Sequence, residues 1–200
     1  MRITAQRHFW LNTLLVVWLA GLVLGGRALW VYSVTPGKAD LTPAQWPEQA
    51  PIVRKPGQAT LVLLAHPHCP CTRASLAELA KLVEHNEADT WILFLRPEGA
   101  QPGWEKTSLW ETAAAIPGVH VLADTDGTAA HVFGAETSGH VLLYDPAGRL
   151  QFSGGITAAR GHEGPSAGGA SVLAALHGAA IPQHQAQIFG CPLQCQETTQ

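Results

Sequence analysis

From Phe9 to Gly26 the chain carries no charged residue, and its only clearly polar side chains are Asn12 and Thr13. The apolar character resumes past Arg27 in Ala28-Leu29-Trp30-Val31-Tyr32. A helix crossing a ~30 Å hydrocarbon layer needs about 20 such residues. Residues 9–34 are therefore expected to form a single transmembrane signal-anchor helix, with the lipid bilayer as a partner of the chain. Arg2 and Arg7 favour retention of residues 1–8 in the cytoplasm, which sends the remainder outside. Trp10 near one end, and Trp30 and Tyr32 near the other, suit the aromatic belts at membrane interfaces. The rival reading is a cleavable signal peptide with a weak site at Val23-Leu24-Gly25, and it exports the chain just the same.

Once that segment is set aside, composition excludes several classes. The formal charge is −3 and no basic run is present, which argues against a nucleic-acid partner. Four cysteines in 200 residues are too few for a disulfide scaffold. An apolar content of 46% excludes wholesale disorder. No internal period suggests repeats.

Prolines at 36, 43, 47, 51 and 56 mark residues 35–58 as an extended, semi-rigid linker, with Trp46 as a candidate to pack on the domain that follows. Residues 59–180 read as one α/β domain. Thr60–Ala65 and Trp91–Leu95 are apolar runs expected of buried strands. Between them Leu76, Leu79, Ala80 and Val83 recur at helical spacing. Residues 105–115, 128–133 and 170–177 are expected to be helical and Val119–Ala123 a strand. His140–Asp145 and Arg149–Ser153 form an expected hairpin across Asp145-Pro146-Ala147-Gly148. The pattern predicts a mixed central sheet with helices on both faces. Residues 181–200 form a mainly polar tail carrying Cys191 and Cys195.

The strongest chemistry lies at the first strand-to-helix junction, His66-Pro67-His68-Cys69-Pro70-Cys71. Reactive groups gather at the carboxyl ends of strands in open α/β sheets. A cysteine at the start of the next helix meets unpaired N–H groups and the positive end of the dipole, which favour the thiolate. Cys71, taken as nearest the helix start, is expected to be the more activated thiol, with Cys69 as its partner in a small strained ring and Pro70 stiffening the loop. His66 and His68 are candidates to move the cysteine proton. Together with Cys69 and Cys71 they also make a candidate copper or zinc ligand set, although Cys-x-Cys is tight for zinc.

A strand, then His-Pro-His-Cys-Pro-Cys-Thr, then an amphipathic helix resembles the active-site corner of thioredoxin-fold proteins. It is similar in particular to membrane-anchored extracytoplasmic redoxins related to TlpA, and among these to the bacterial group called RedB. The segments that carry the likeness are Ala65–Leu76, Thr137-Ser138-Gly139 with Leu142–Asp145, Phe152–Thr157 running to His162, and Phe189–Leu193. The resemblance implies a thioredoxin-like fold, a single-pass protein of the bacterial inner membrane with its domain on the periplasmic side, and thiol–disulfide exchange with protein thiols or disulfides. It implies catalytic roles for Cys69, Cys71, Thr72 and His68, and a substrate-binding border at Pro70, Thr137, Ser138 and Gly139, with no cofactor required. Two departures stand out: the family pattern is Cys-x-x-Cys, and glycine stands at about position 139 where the family carries a cis-proline. Copper-handling Sco proteins and peroxiredoxins also lack that proline, so a copper or zinc delivery module and a peroxidase are the alternatives. A non-catalytic partner-binding domain is the fourth reading.

Cys191 and Cys195 are expected either to pair with one another or to offer Cys191 as a resolving thiol for Cys69 or Cys71. Arg160, His162 and Glu163 are candidate acid–base or anion-binding groups, but they lie in a stretch with glycines at 154, 155, 161, 164, 168 and 169, which reads first as a long turn-rich loop. No phosphate-binding loop, His-Glu-x-x-His or Gly-x-Ser-x-Gly element occurs.

Overall fold

The computed structural model describes residues 2–85 and 88–193, with side chains from residue 8 onward. The chain divides into two compact units, residues 1–35 and 36–200.

The first unit is one helix, α1, Arg2–Val34. Within it His8–Val34 has a mean hydropathy of 2.0 over 27 residues, long and apolar enough to cross a membrane. At 1.5 Å per residue that span is about 40 Å. The hydroxyls of Thr13, Ser33 and Thr35 donate to the carbonyls of Phe9, Trp30 and Val31, so these polar groups are satisfied without water.

The second unit runs β1 Thr60–Ala65, α2 Pro70–Val83, β2 Asp89–Arg96, α3 Ser108–Ala114, β3 Val119–Thr125, α4 Thr128–Val132, β4 His140–Tyr144, β5 Leu150–Gly154 and α5 Ala167–Leu176. The strands order as β3-β2-β1-β4-β5. β1, β2 and β3 are mutually parallel, while β4 runs antiparallel to β1 and β5 antiparallel to β4. This is a thioredoxin-like fold, a mixed five-stranded sheet with the β1–α2 junction at its centre. Every residue of β1 is buried, as its unbroken apolar run requires of a strand covered on both faces.

Strand alternation divides the core in two. Leu61, Leu63, Ile92, Phe94, Val141 and Leu143 meet Leu76 and Leu79 of α2, Leu109 of α3 and Val172 of α5. Val62, Leu64, Leu93, Leu142 and Tyr144 face the other way, toward Ala129 of α4 and Phe133. Helix α4 is too short to close that second face. Residues 36–58, expected as a linker extended away from the domain, instead lie along it and finish the layer. Ile52 is buried, and the Trp46 ring meets Phe133 at 5.3 Å and Tyr144 at 5.2 Å, both edge-on. Backbone bonds Trp46 N–H to Gly148 O (2.8 Å) and Leu150 N–H to Ala44 O (2.9 Å) fix the segment.

Element ends differ from expectation for local reasons. The helix expected from 105 begins at Ser108, because residues 101–107 are turns and the Thr107 hydroxyl caps the Leu109 amide at 3.3 Å. The last helix begins at Ala167, three residues earlier than expected. Ser166 caps it, accepting from the Gly169 amide at 3.0 Å. The hairpin carries a bulge between Leu143 and Tyr144.

Candidate active site

Strand β1 ends at Ala65 and the chain turns before α2, the turn closing where the Cys69 amide donates to His66 O at 3.1 Å. The Thr107 hydroxyl donates to Pro67 O at 2.9 Å, tying this loop to the start of α3. Pro70 is the first helical residue, which makes Cys69 the N-cap of α2. The Cys69 sulfur makes no formal capping bond, but the amides of Cys71 and Thr72 lie close enough to stabilise negative charge on it.

Three thiols converge here. Cys69 and Cys71 are buried, Cys191 is half-buried, and all three are free. The Cys191 amide donates to Cys69 Sγ at 3.4 Å. Burial pushes the Cys69 thiol up, but the Cys191 thiol and amide and the amides of Cys71 and Thr72 outweigh it, so Cys69 ionises below the ordinary cysteine value. Cys71 is raised by burial and by the neighbouring Cys69 charge, with Arg160 opposing in part. Cys191 is pushed up to about 12, by burial first and then by its hydrogen bond and charge interaction with Cys69. The expectation that Cys71 is the more activated thiol is thereby corrected. The helix begins one residue before Cys71, so its amides converge on Cys69.

Around the cysteines, Ser138 Oγ accepts from the His66 amide at 2.9 Å and lies 2.9 Å from the Thr72 hydroxyl. Thr72 also donates to His66 O at 3.2 Å. Its amide donates to Cys69 O at 3.0 Å. Gly139, at φ 91°, donates to Leu64 O at 2.8 Å. The room left by the absence of a side chain there is already used: a Cβ would lie 3.0 Å from Ser75 Oγ and 3.8 Å from Phe189 O. Of the expected substrate border at Pro70, Thr137, Ser138 and Gly139, Thr137 and Ser138 lie on a backbone edge, 136–138, that is paired with residues 191–193 of the chain itself.

The two histidines turn to an aromatic neighbour. Trp104 meets the His68 ring at 4.5 Å and the His66 ring at 5.7 Å. His66 Nδ1 accepts from the His68 amide at 3.1 Å. Burial, and then the charge of His68, holds His66 below its usual range. Among the described residues no hydrogen bond joins either imidazole to a cysteine sulfur. Nor do the described residues gather three or more His, Cys, Asp or Glu side chains closely enough to hold a metal ion. The set His66, His68, Cys69 and Cys71 does not fit copper or zinc in this arrangement.

Trp104 escaped the sequence reading, and Arg160, a candidate acid–base or anion-binding group, was read first as part of a plain turn. Arg160 donates to Gly190 O, and its charge opposes the rise at Cys71. Trp104 lies between α3 and a Pro-Gly turn, where no periodicity marks it. Cys195 lies outside the described residues. A cleft of ≈ 310 Å³ is bordered by Lys38, Thr137, Arg160, Gly190 and Pro192, close to the thiols. A larger one of ≈ 410 Å³ between β5 and α5 includes no cysteine.

No family model matches this chain, and no curated protein matches it significantly in sequence. Solved structures do share its fold. An uncharacterized conserved protein from Geobacillus kaustophilus superposes with a TM-score of 0.58 at 18% identity, covering 82% of this chain and 94% of its own. A hypothetical protein from Sinorhizobium meliloti 1021 gives 0.58 at 22% identity, covering 82% and 97%. A secreted Mycobacterium tuberculosis disulfide oxidoreductase overlaps more loosely, with a TM-score of 0.40 at 19% identity over 48% of this chain and 67% of its own.

Proposed function

We propose that this chain is a membrane-anchored, extracytoplasmic thiol–disulfide exchange protein of the RedB type, held in the bacterial inner membrane by residues 9–34. One observation carries the reading: Cys69 sits at the N-cap of α2, and the amide of a second cysteine, Cys191, donates to its sulfur at 3.4 Å. The Cys69 thiolate attacks one sulfur of a partner disulfide. A Cys69–partner bond forms, the partner bond breaks, and the departing thiolate takes a proton. A second thiol of the site then attacks Cys69 Sγ, releasing the other partner sulfur. The net result moves two electrons from the protein dithiol to the partner disulfide, and the same steps run backwards when the protein starts oxidised. The amides of Cys71 and Thr72 stabilise the sulfur anion, Pro70 keeps that helix start rigid, and Ser138 holds the loop before it.

The test uses the reduced full chain in detergent and an aromatic disulfide reagent whose released thiolate is followed by absorbance. Cys69→Ser is expected to cut the fast phase at least a hundredfold at neutral pH. An unchanged fast phase in Cys69→Ser sinks the proposal.

A further inference from the structure

Residues 188–193 belong to no helix or named strand, yet they are held like a bound peptide. Thr137 and Pro192 form an antiparallel bridge; the Ser138 amide donates to Cys191 O and the Leu193 amide to Glu136 O, each at 2.8 Å. On the other side the Gly37 amide donates to Ile188 O at 2.8 Å, and Arg160 donates to Gly190 O. Ile188, Phe189 and Leu193 are buried, so the segment is anchored before and after its cysteine. At Gly190 the fit is close: a Cβ there would overlap the Ser138 carbonyl oxygen. This is strand addition to a backbone edge, and it brings the Cys191 amide onto the Cys69 sulfur at 3.4 Å.

We propose that Cys191 is the redox partner of Cys69, brought to it by residues 188–193 acting as a displaceable strand on the edge at 136–138. The inference rests on the exchange reading above and names its second thiol. Cys71 is the less suitable partner. Pro70 fixes the helix start between Cys69 and Cys71, and a bond across that one residue closes a small, strained ring. Cys191 arrives on a separate strand, with its amide 3.4 Å from Cys69 Sγ. In the cycle an incoming peptide disulfide displaces the strand and is attacked by Cys69. The strand then returns, Cys191 attacks Cys69 Sγ, the Cys69–Cys191 bond forms, and the peptide leaves as a thiolate that takes up the proton lost by Cys191. Once Cys69 is bonded its negative charge is gone, which removes one of the influences that hold Cys191 protonated.

The experiment oxidises the reduced full chain in detergent with glutathione disulfide, quenches in acid, and maps the bonds by mass spectrometry. A Cys69–Cys191 bond is expected as the main product, and it is expected to form in Cys71→Ser as well. Cys191→Ser is expected to accumulate the Cys69–glutathione mixed disulfide and to release the second glutathione at least tenfold more slowly. Gly190→Ala keeps every thiol but disturbs the strand; faster alkylation of Cys69 and severalfold slower resolution are expected. Cys69–Cys71 or Cys191–Cys195 as the main product, with Cys191→Ser resolving at the wild-type rate, overturns the inference and leaves the exchange reading standing. Failure of Cys69 to react with glutathione disulfide in every variant overturns both.

Discussion

A thiol's reactivity depends on where nearby amides point, and a shift of one or two residues is enough to move it. Pro70 lacks an amide proton and has a backbone suited to the first helical position, so α2 starts there and Cys69 rather than Cys71 takes the N-cap position. That preference is present in the sequence. Counting the helix from Cys71 hid it. Alkylation by iodoacetamide between pH 5 and 10 reads the result directly. Cys69 is expected to show a midpoint below that of ordinary cysteine, with Cys71 and Cys191 following at higher pH; identical midpoints for all three contradict the assignment. The positions of Cys69, Cys71 and Thr72 near one another were legible from the strand–turn–helix pattern, and that of Ser138 only from the family resemblance. Trp104 was not legible and Arg160 was a candidate set behind a plain turn, because each reaches the site from a loop whose path depends on tertiary packing.

At the scale of elements, Thr107 joins two of them. Its hydroxyl caps α3 and also donates to Pro67 O in the loop that carries Cys69. Thr107→Ala is expected to cost about 1 kcal/mol, as lost N-caps do, lowering Tm by roughly 2–4 °C in a domain of this size. Calorimetry checks the stability, and Cys69 alkylation at pH 7 is expected to change in the same variant. Thr107→Ser is expected to restore both. The strands were legible because buried central strands are written as continuous apolar runs, and α2 because its apolar residues recur at helical spacing. The segment at 36–58 was not. A proline-rich stretch has no period to read, and only Trp46 hinted that it packs on the sheet.

Two expectations concern the molecule as a whole. His140 is fully buried, with Nε2 2.8 Å from Ser153 Oγ and Nδ1 without a partner. Burial lowers its pKa to about 4. Unfolding returns it to the ordinary value near 6.5, so between the two the unfolded chain binds more protons and stability falls as pH drops. The loss begins near pH 6.5 and is complete near 4, about 3 kcal/mol in all at 1.36 kcal/mol per unit. Thermal melts at pH 7 and pH 5 are expected to show it, and His140→Gln to remove most of the difference. For the first unit, fractionation of expressing bacteria is expected to leave the chain in membranes after alkaline carbonate and to release it with detergent; release by carbonate alone contradicts an anchor. The second unit also has a practical boundary. Val62, Leu64, Leu142 and Tyr144 are sealed partly by Trp46 and Ile52, which precede the first strand. A version trimmed to begin at residue 59 would lay bare an oily slab and clump, so any water-soluble form has to keep the chain from about residue 36 onward.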